Sequence, residues 1–192
     1  FKDPWFAALT THLQLFSFYR DELPFLEKSY RNPVSPGSTE RYRFRLEDTF
    51  TEGLDSVFVI SFQPQPGTAF AGLKGVLHIH SDGFAIQHLI AESSEQEQIK
   101  FHIDQKYSRT QSGQWFPEQL SLVLDAEKYP DPVIGTRMTA RTYIDSVRIR
   151  PEFPKGFFSP VETYFVAPDL KPLDSISHLR REPLSRVDSM SY

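Results

Sequence analysis

Leu73-Lys74-Gly75-Val76-Leu77-His78-Ile79-His80, then Ser81-Asp82-Gly83, then Phe84-Ala85-Ile86-Gln87-His88-Leu89-Ile90-Ala91 is the stretch that decides the fold. Two apolar-rich runs of strand length flank a polar break, and Asp82-Gly83 supplies the positive φ that a tight hairpin needs. On the C-terminal side, a charged, serine-rich loop from Glu92 to Glu97 leads to Ile99, Phe101, Ile103 and Tyr107. These alternate with Lys100, His102, Asp104 and Lys106, the period of a strand with one dry face. Gln111-Ser112-Gly113 then turns the chain into a strand containing Trp115. Pro117 has no N–H to give a ladder, so this strand must be bulged or at an edge there before continuing through Leu120, Leu122 and Leu124. On the N-terminal side, Val57 to Phe62 is apolar on both faces and reads as a central strand covered on both sides. Glu52-Gly53 makes the turn before it, and Tyr42, Phe44 and Leu46 alternate with Arg41, Arg43, Arg45 and Glu47. No crossover helix fits between these runs, so residues 41–124 are expected to form consecutive antiparallel strands.

The flanks read differently. Asp3-Pro4 suits an N-cap and first helical turn, and Trp5, Leu9, Leu13 and Phe16 recur at helical spacing, which predicts a helix over about 4–19. A second short helical stretch is expected from Phe25 to Tyr30, and Asn32-Pro33-Val34-Ser35-Pro36-Gly37 then breaks regular structure. After the Tyr129-Pro130-Asp131-Pro132 loop, Met138 to Ile149 reads as a strand pair or one bent strand. Prolines at 151, 154, 160, 168 and 172 predict extended chain, and Ser175 to Tyr192 is polar with three arginines. The expected class is therefore mainly β (α+β): a strongly twisted antiparallel sheet or half-barrel with an N-terminal helical segment and an extended C-terminal arm. The expected domains are a helical lead-in at 1–40, an antiparallel β domain at 41–150 and a proline-rich arm or linker at 151–192.

The 192 residues carry a formal charge of -4 with acidic and basic side chains interleaved, so no basic field exists to hold a phosphate backbone and nucleic acid is not an expected partner. Seventeen Phe, eight Tyr and two Trp favour half-buried pleated surfaces. The absence of cysteine removes disulfides, thiol catalysis and thiolate-bound zinc. No run reaches the ~18 apolar residues of a membrane-spanning helix. Phe1-Lys2-Asp3 is neither an initiator nor a signal sequence, which suggests an excised fragment.

Candidate chemistry is sparse. His78 and His80 lie two apart on one strand, with His88 on the paired strand and His102 on a neighbour. A zinc site needs three or four converging ligands and a second shell, however, and the spacing places no carboxylate beside the pair, so no metal is expected there. No Gly-x-Ser-x-Gly elbow, phosphate loop or dinucleotide turn occurs, which leaves no cofactor expected. Glu92, Glu95 and Glu97 crowd one loop, where they read as a solvated turn. Arg41, Arg43 and Arg45 read as the wet face of a strand, and Arg180, Arg181 and Arg186 as the solvating charges of a tail. What remains is aromatic: Phe58, Phe62, Phe84, Phe101, Tyr107, Trp115 and Phe116 fall on a few adjacent strands. They read either as core or as the concave lining of a lipid-binding groove. Trp115 is expected to be a core residue whose indole N–H finds an acceptor.

Tyr42-Arg43-Phe44-Arg45-Leu46-Glu47-Asp48-Thr49, Val59-Ile60-Ser61-Phe62-Gln63-Pro64, Phe70-Ala71-Gly72-Leu73-Lys74-Gly75 and Gly113-Gln114-Trp115-Phe116-Pro117, in this order, resemble an uncharacterised bacterial envelope family. That family carries a carboxypeptidase-regulatory-like domain upstream and a region similar to an outer-membrane β-barrel downstream. Leu179-Arg180-Arg181-Glu182-Pro183-Leu184-Ser185 looks like its link toward that downstream part. The likeness covers about 40–124 well, the tail moderately and the first forty residues poorly. It implies a domain on the periplasmic side of the outer membrane, with no catalytic residues to carry over and with an envelope protein, a lipid or the remainder of its own chain as partner. The hairpin, acidic loop, strand and Gly-x-Trp-x-Pro also look like the half-barrel of periplasmic lipoprotein carriers, a likeness of fold that does not transfer function. Binding or scaffolding is the expected role, with a carrier surface as the alternative and an enzyme third.

Overall fold

The computed structural model describes residues 17–25, 28–95, 99–126, 135–149 and 152–153. The chain divides into two units, 1–148 and 149–192, and the first carries every strand described. The helix expected over about 4–19 lies largely outside the described residues, and Ser17 to Asp21 are turn and bend rather than helix. The arm from 151 onward also lies outside them, apart from Glu152 and Phe153.

Two short strands come first, β1 (Glu22–Phe25) and β2 (Lys28–Arg31), paired antiparallel with Leu23 opposite Tyr30. A helical stretch was expected here, and the hairpin corrects it. Leu23 and Phe25 are buried at a period of two, and Pro24 would break a helix interior but is tolerated on an edge strand. Asn32 to Gly37, read as a break, is packed loop: Asn32, Pro33 and Ser35 are buried. One helical turn, α1 (Ser38–Arg41), leads into the sheet.

That sheet has seven strands: β3 (Tyr42–Glu52), β4 (Asp55–Pro64), β5 (Leu73–His80), β6 (Ala85–Ser93), β7 (Ile99–Arg109), β8 (Trp115–Ala126) and β9 (Thr136–Tyr143). Each pairs antiparallel with the next in chain order, as the bounded apolar runs of 41–124 require. Of the strand pair or bent strand expected over Met138 to Ile149, one strand forms, β9, which ends at Tyr143, and Ile144 follows it with an N–H donated to the Glu118 carbonyl. Gly75 sits in β5 because a Cβ there would meet the Ile90 carbonyl oxygen at 2.0 Å.

Three bulges set which side chains face which way. At Pro117 the register slips, with Lys106 opposite Gln119 but Tyr107 opposite Pro117, so β8 is bulged rather than an edge there. A second slip falls at Glu47: Leu46 opposes Ile60 while Phe50 opposes Val57, which turns Phe50 to the other face of the sheet. The alternation Tyr42, Phe44, Leu46 predicted one dry face, yet Leu46 is 59% exposed, because β3 is an edge strand and its cover ends near Phe44. The third bulge lies at Gln87. Ile79 opposes Ile86 but His78 opposes His88, leaving Gln87 unpaired with β5.

The core joins the β1–β2 hairpin to one face of the sheet. Phe25 and Tyr30 pack on Phe101 with ring centroids 4.5 and 5.0 Å apart, and Phe18, Leu77, Leu89, Ile103 and Leu122 complete the cluster. Burying Phe101 contributes about 2–3 kcal/mol of transfer free energy. Tyr42 ties the parts together: its hydroxyl donates to the Arg31 carbonyl and accepts from the Leu73 N–H, and burial raises its pKa.

Candidate functional site

The seven aromatic residues separate into three environments. Phe62, Phe101 and Tyr107 are buried in the core, the last with its hydroxyl accepting from the Phe18 N–H and donating to Gln105 Oε1 at 2.7 Å. Burial pushes the Tyr107 hydroxyl up to about 12. Phe58, Trp115 and Phe116 are half-buried, and Trp115 packs against the core cluster. Phe84 stands apart at 74% exposure in the β5–β6 turn. The set therefore does not converge on one open groove; its centre is filled.

Trp115 departs from expectation in one respect. Its ring lies 5.0 Å from the His80 ring, and the Arg109 guanidinium stands 5.6 Å from the indole centroid, within cation–π range. Its Nε1–H, however, is buried without a hydrogen-bond partner, where an acceptor was expected. An unpaired buried donor of this kind costs about 1–3 kcal/mol.

The histidines also part company. His80 Nδ1 accepts the Asp82 N–H at 3.1 Å, which leaves the proton of the neutral ring on Nε2, 4.0 Å from Asp55 Oδ2. Ser81 Oγ donates to Asp55 Oδ1 at 3.0 Å and accepts the Ser56 N–H at 3.0 Å. Serine, histidine and aspartate thus meet, yet the serine hydroxyl bonds the Asp55 carboxylate and the Ser56 N–H rather than the His80 ring, and these bonds tie the β5–β6 turn to the start of β4. This is not a nucleophilic triad. His78 instead faces His88, with ring centroids 5.2 Å apart, and His88 Nε2 lies 2.9 Å from Asp104 Oδ1. The carboxylate that spacing could not place is therefore beside His88, on β7, where Asp104 opposes Ile90 two residues along. No group of three or more His, Asp or Glu able to hold a metal ion occurs among the described residues.

The arginine stripe is divided as well. Arg45 pairs with Glu47, and a Ser61 hydroxyl bond together with that arginine holds the Glu47 carboxyl below the ordinary carboxylate range. Arg41 turns back to Ser35 Oγ and the Pro36 carbonyl.

A surface site that sequence reading did not assemble lies at one end of the meander, where the β3–β4, β5–β6 and β7–β8 turns fall side by side. The Ser81 N–H donates to the Ser56 carbonyl at 2.8 Å, Gln87 Nε2 donates to Glu52, and Arg109 pairs with Asp82. Leu54 is fully exposed at the first tip and Phe84 largely so at the second. Phe84 adopts φ +50, beside Gly83 at +68, so the left-handed pair is Gly83-Phe84 rather than Asp82-Gly83. A bulky residue held there costs roughly 1–2 kcal/mol. Next to it, Tyr19, Val34, Ile79, Ile86 and Phe84 line a depression of about 250 Å³, with Arg20 and Asp21 at its rim. The signal available in sequence was a phenylalanine where turn chemistry prefers asparagine or glycine.

Residues 6–131 match the model of a family of unknown function, DUF5686. The chain belongs to this family. The matched stretch takes in both the β1–β2 hairpin and strands β3 to β8. It carries no statement about the cell envelope, an upstream domain or a downstream barrel. No curated protein and no solved structure matches the chain. No helix among the described residues is long and apolar enough to cross a membrane.

Proposed function

We propose that this chain is a non-catalytic, periplasm-facing binding or scaffolding domain of a larger outer-membrane-associated protein, and that it engages an envelope protein through the turn end of its sheet. The observation that carries this reading is Phe84. Its side chain is mostly in water and its backbone conformation is strained, so it serves neither the core nor the turn, and strain kept in this way marks surfaces used for recognition. Tyr19 and Val34 beside it enlarge the apolar area, as at the centre of a protein contact. The filled core argues against the alternative, a carrier that holds an acyl chain inside a half-barrel, because Phe62, Phe101 and Tyr107 occupy the space an acyl chain would need.

The test is photo-crosslinking in the native host, with the full reading frame expressed and a photoreactive residue at position 84, and at position 67 in the opposite turn as control. We expect a discrete protein adduct from position 84 alone, in the membrane fraction. Equal adducts from both positions, or recovery in the cytosol, would refute the reading. Flotation with phospholipid vesicles that depends on Phe84 would favour a lipid surface instead.

A further inference from the structure

His78, on β5, and His88, on β6, are directly opposed, and their rings touch at 5.2 Å. Like charges placed opposite one another across a strand pair repel. Asp104 on β7 stands 2.9 Å from His88, whereas no carboxylate among the described residues is paired with His78. Along the same row, Val59 opposes His78 from β4 and Asp48 opposes Val59 from β3, while the Phe50 ring lies 6.2 Å from His78. From β7, Lys106 opposes His88 and adds positive charge, and His102 opposes Glu92 further along. The neighbours immediately around His78 are thus Val59, Phe50 and a second imidazole.

We propose that His78, His88 and Asp104 form an acid-sensitive clasp across β5, β6 and β7, closed while one proton at most is bound and loosened by the second. The position suits such a device. The register slips immediately beyond His78 and His88, and His88 is the last residue of β6 toward the turn that pairs with β7. Ala85 to Gln87 therefore have no ladder partner on β7, and Gln87 has none on β5, so weakening the His78–His88 rung opens the sheet where its ladder is already interrupted. Desolvation, then the charge of His88, lowers the pKa of His78 from its ordinary 6.5. The unfolded chain takes up that proton more readily than the folded one, so the stability due to neutral His78 is complete above pH 6.5 and is lost as pH falls below it. The clasp acts on the sheet itself, whatever binds at the turn end.

Thermal unfolding of the intact chain between pH 7.5 and 5.0 tests this. The parent midpoint should fall further than that of His78→Gln, by about 3–5 °C for each tenfold loss of proton affinity that folding imposes on His78. Asp104→Asn, which removes the neutralising carboxylate, should fall more steeply than the parent. A His78→Gln chain that tracks the parent, or an Asp104→Asn chain no steeper than it, overturns the proposal. Should either variant be unfolded at pH 7.5, the His78 ring resonances of the parent decide: titration below 6.5 supports the clasp, and titration at or above 6.5 refutes it.

Discussion

Asn32 and Trp115 both bury polar atoms beside the core, with opposite results. Asn32 is wholly buried, and its side chain donates to the Phe18 and Arg20 carbonyls while accepting the Val34 N–H at 2.9 Å. Its backbone N–H reaches the Asp21 carbonyl, and its own carbonyl takes both the N–H and the hydroxyl of Ser35. Every strong group is used, so a loop rich in prolines and small residues is held as firmly as a strand. At the other corner, Trp115 has ring contacts on two sides and an indole N–H with no acceptor. Asn32 is therefore fully satisfied, whereas Trp115 retains a deficit, which it shares among the described residues with Arg41 Nε at the entry to the sheet.

The largest effect should come from breaking the satisfied region. Asn32→Ala strands two carbonyls and one N–H in a site without room for bulk water, and we expect a loss of about 3 kcal/mol or more, read by urea unfolding. A loss below about 1 kcal/mol would show that the loop is held by packing alone. Tyr107→Phe should cost less, about 1–2 kcal/mol, since it removes the acceptor of the Phe18 N–H and the donor to Gln105. It should also change the alkaline limb. The folded hydroxyl titrates near 12 and the unfolded one near 10, so its stabilising contribution is intact below pH 10 and fades as pH rises toward 12. The variant should lose stability less steeply over that range, and an unchanged slope would locate the alkaline sensitivity elsewhere, Tyr42 first.

How far these features were legible in sequence follows from where their determinants lie. The β5–β6 hairpin was readable because turn and apolar runs are contiguous. Pro117 announced its bulge because a missing N–H is a property of one residue. The β1–β2 hairpin was obscured by strands of only four residues, one of them carrying Pro24, which mimic a broken helix. Asn32 was unreadable because its partners are carbonyls, which have no letter in the sequence. The His78–His88 contact depended on the bulge at Gln87: without that slip, His78 would face Gln87 and the histidines would pass each other. Phe84 was read as the first residue of the second strand and as part of an aromatic lining, whereas it is the last residue of the turn, since strain is a property of φ.

At the turn end the comparison sharpens in the opposite direction. Phe84→Gly removes a side chain that the fold does not bury and frees a backbone held at φ +50. Relief of the left-handed strain is offset by the greater entropy of glycine in the unfolded chain, so we expect stability to hold or rise by up to about 1 kcal/mol. A clear loss would mean that Phe84 packs within this chain after all, and the case for recognition at this end would fall with it.

The smallest expected change is also the most discriminating. Trp115→Phe removes the indole N–H, which relieves a buried unsatisfied donor, but it also gives up part of the ring's apolar area and weakens the contact with Arg109. These changes oppose one another at about 1–2 kcal/mol each, so the net should lie within about 1 kcal/mol of the parent. Trp115→Ala keeps only the relief and loses the ring against His80 and the core, so it should cost about 2–3 kcal/mol. Because Trp5 also emits, unfolding is followed in a Trp5→Phe background, by circular dichroism for the variants and with fluorescence as a second probe of the parent. If Trp115→Phe cost as much as Trp115→Ala, the indole N–H would have to be engaged in the folded chain, and the contrast with Asn32 would disappear. If both variants were as stable as the parent, the ring would contribute nothing to the core, and Trp115 would join Phe84 among the residues proposed for partner contact.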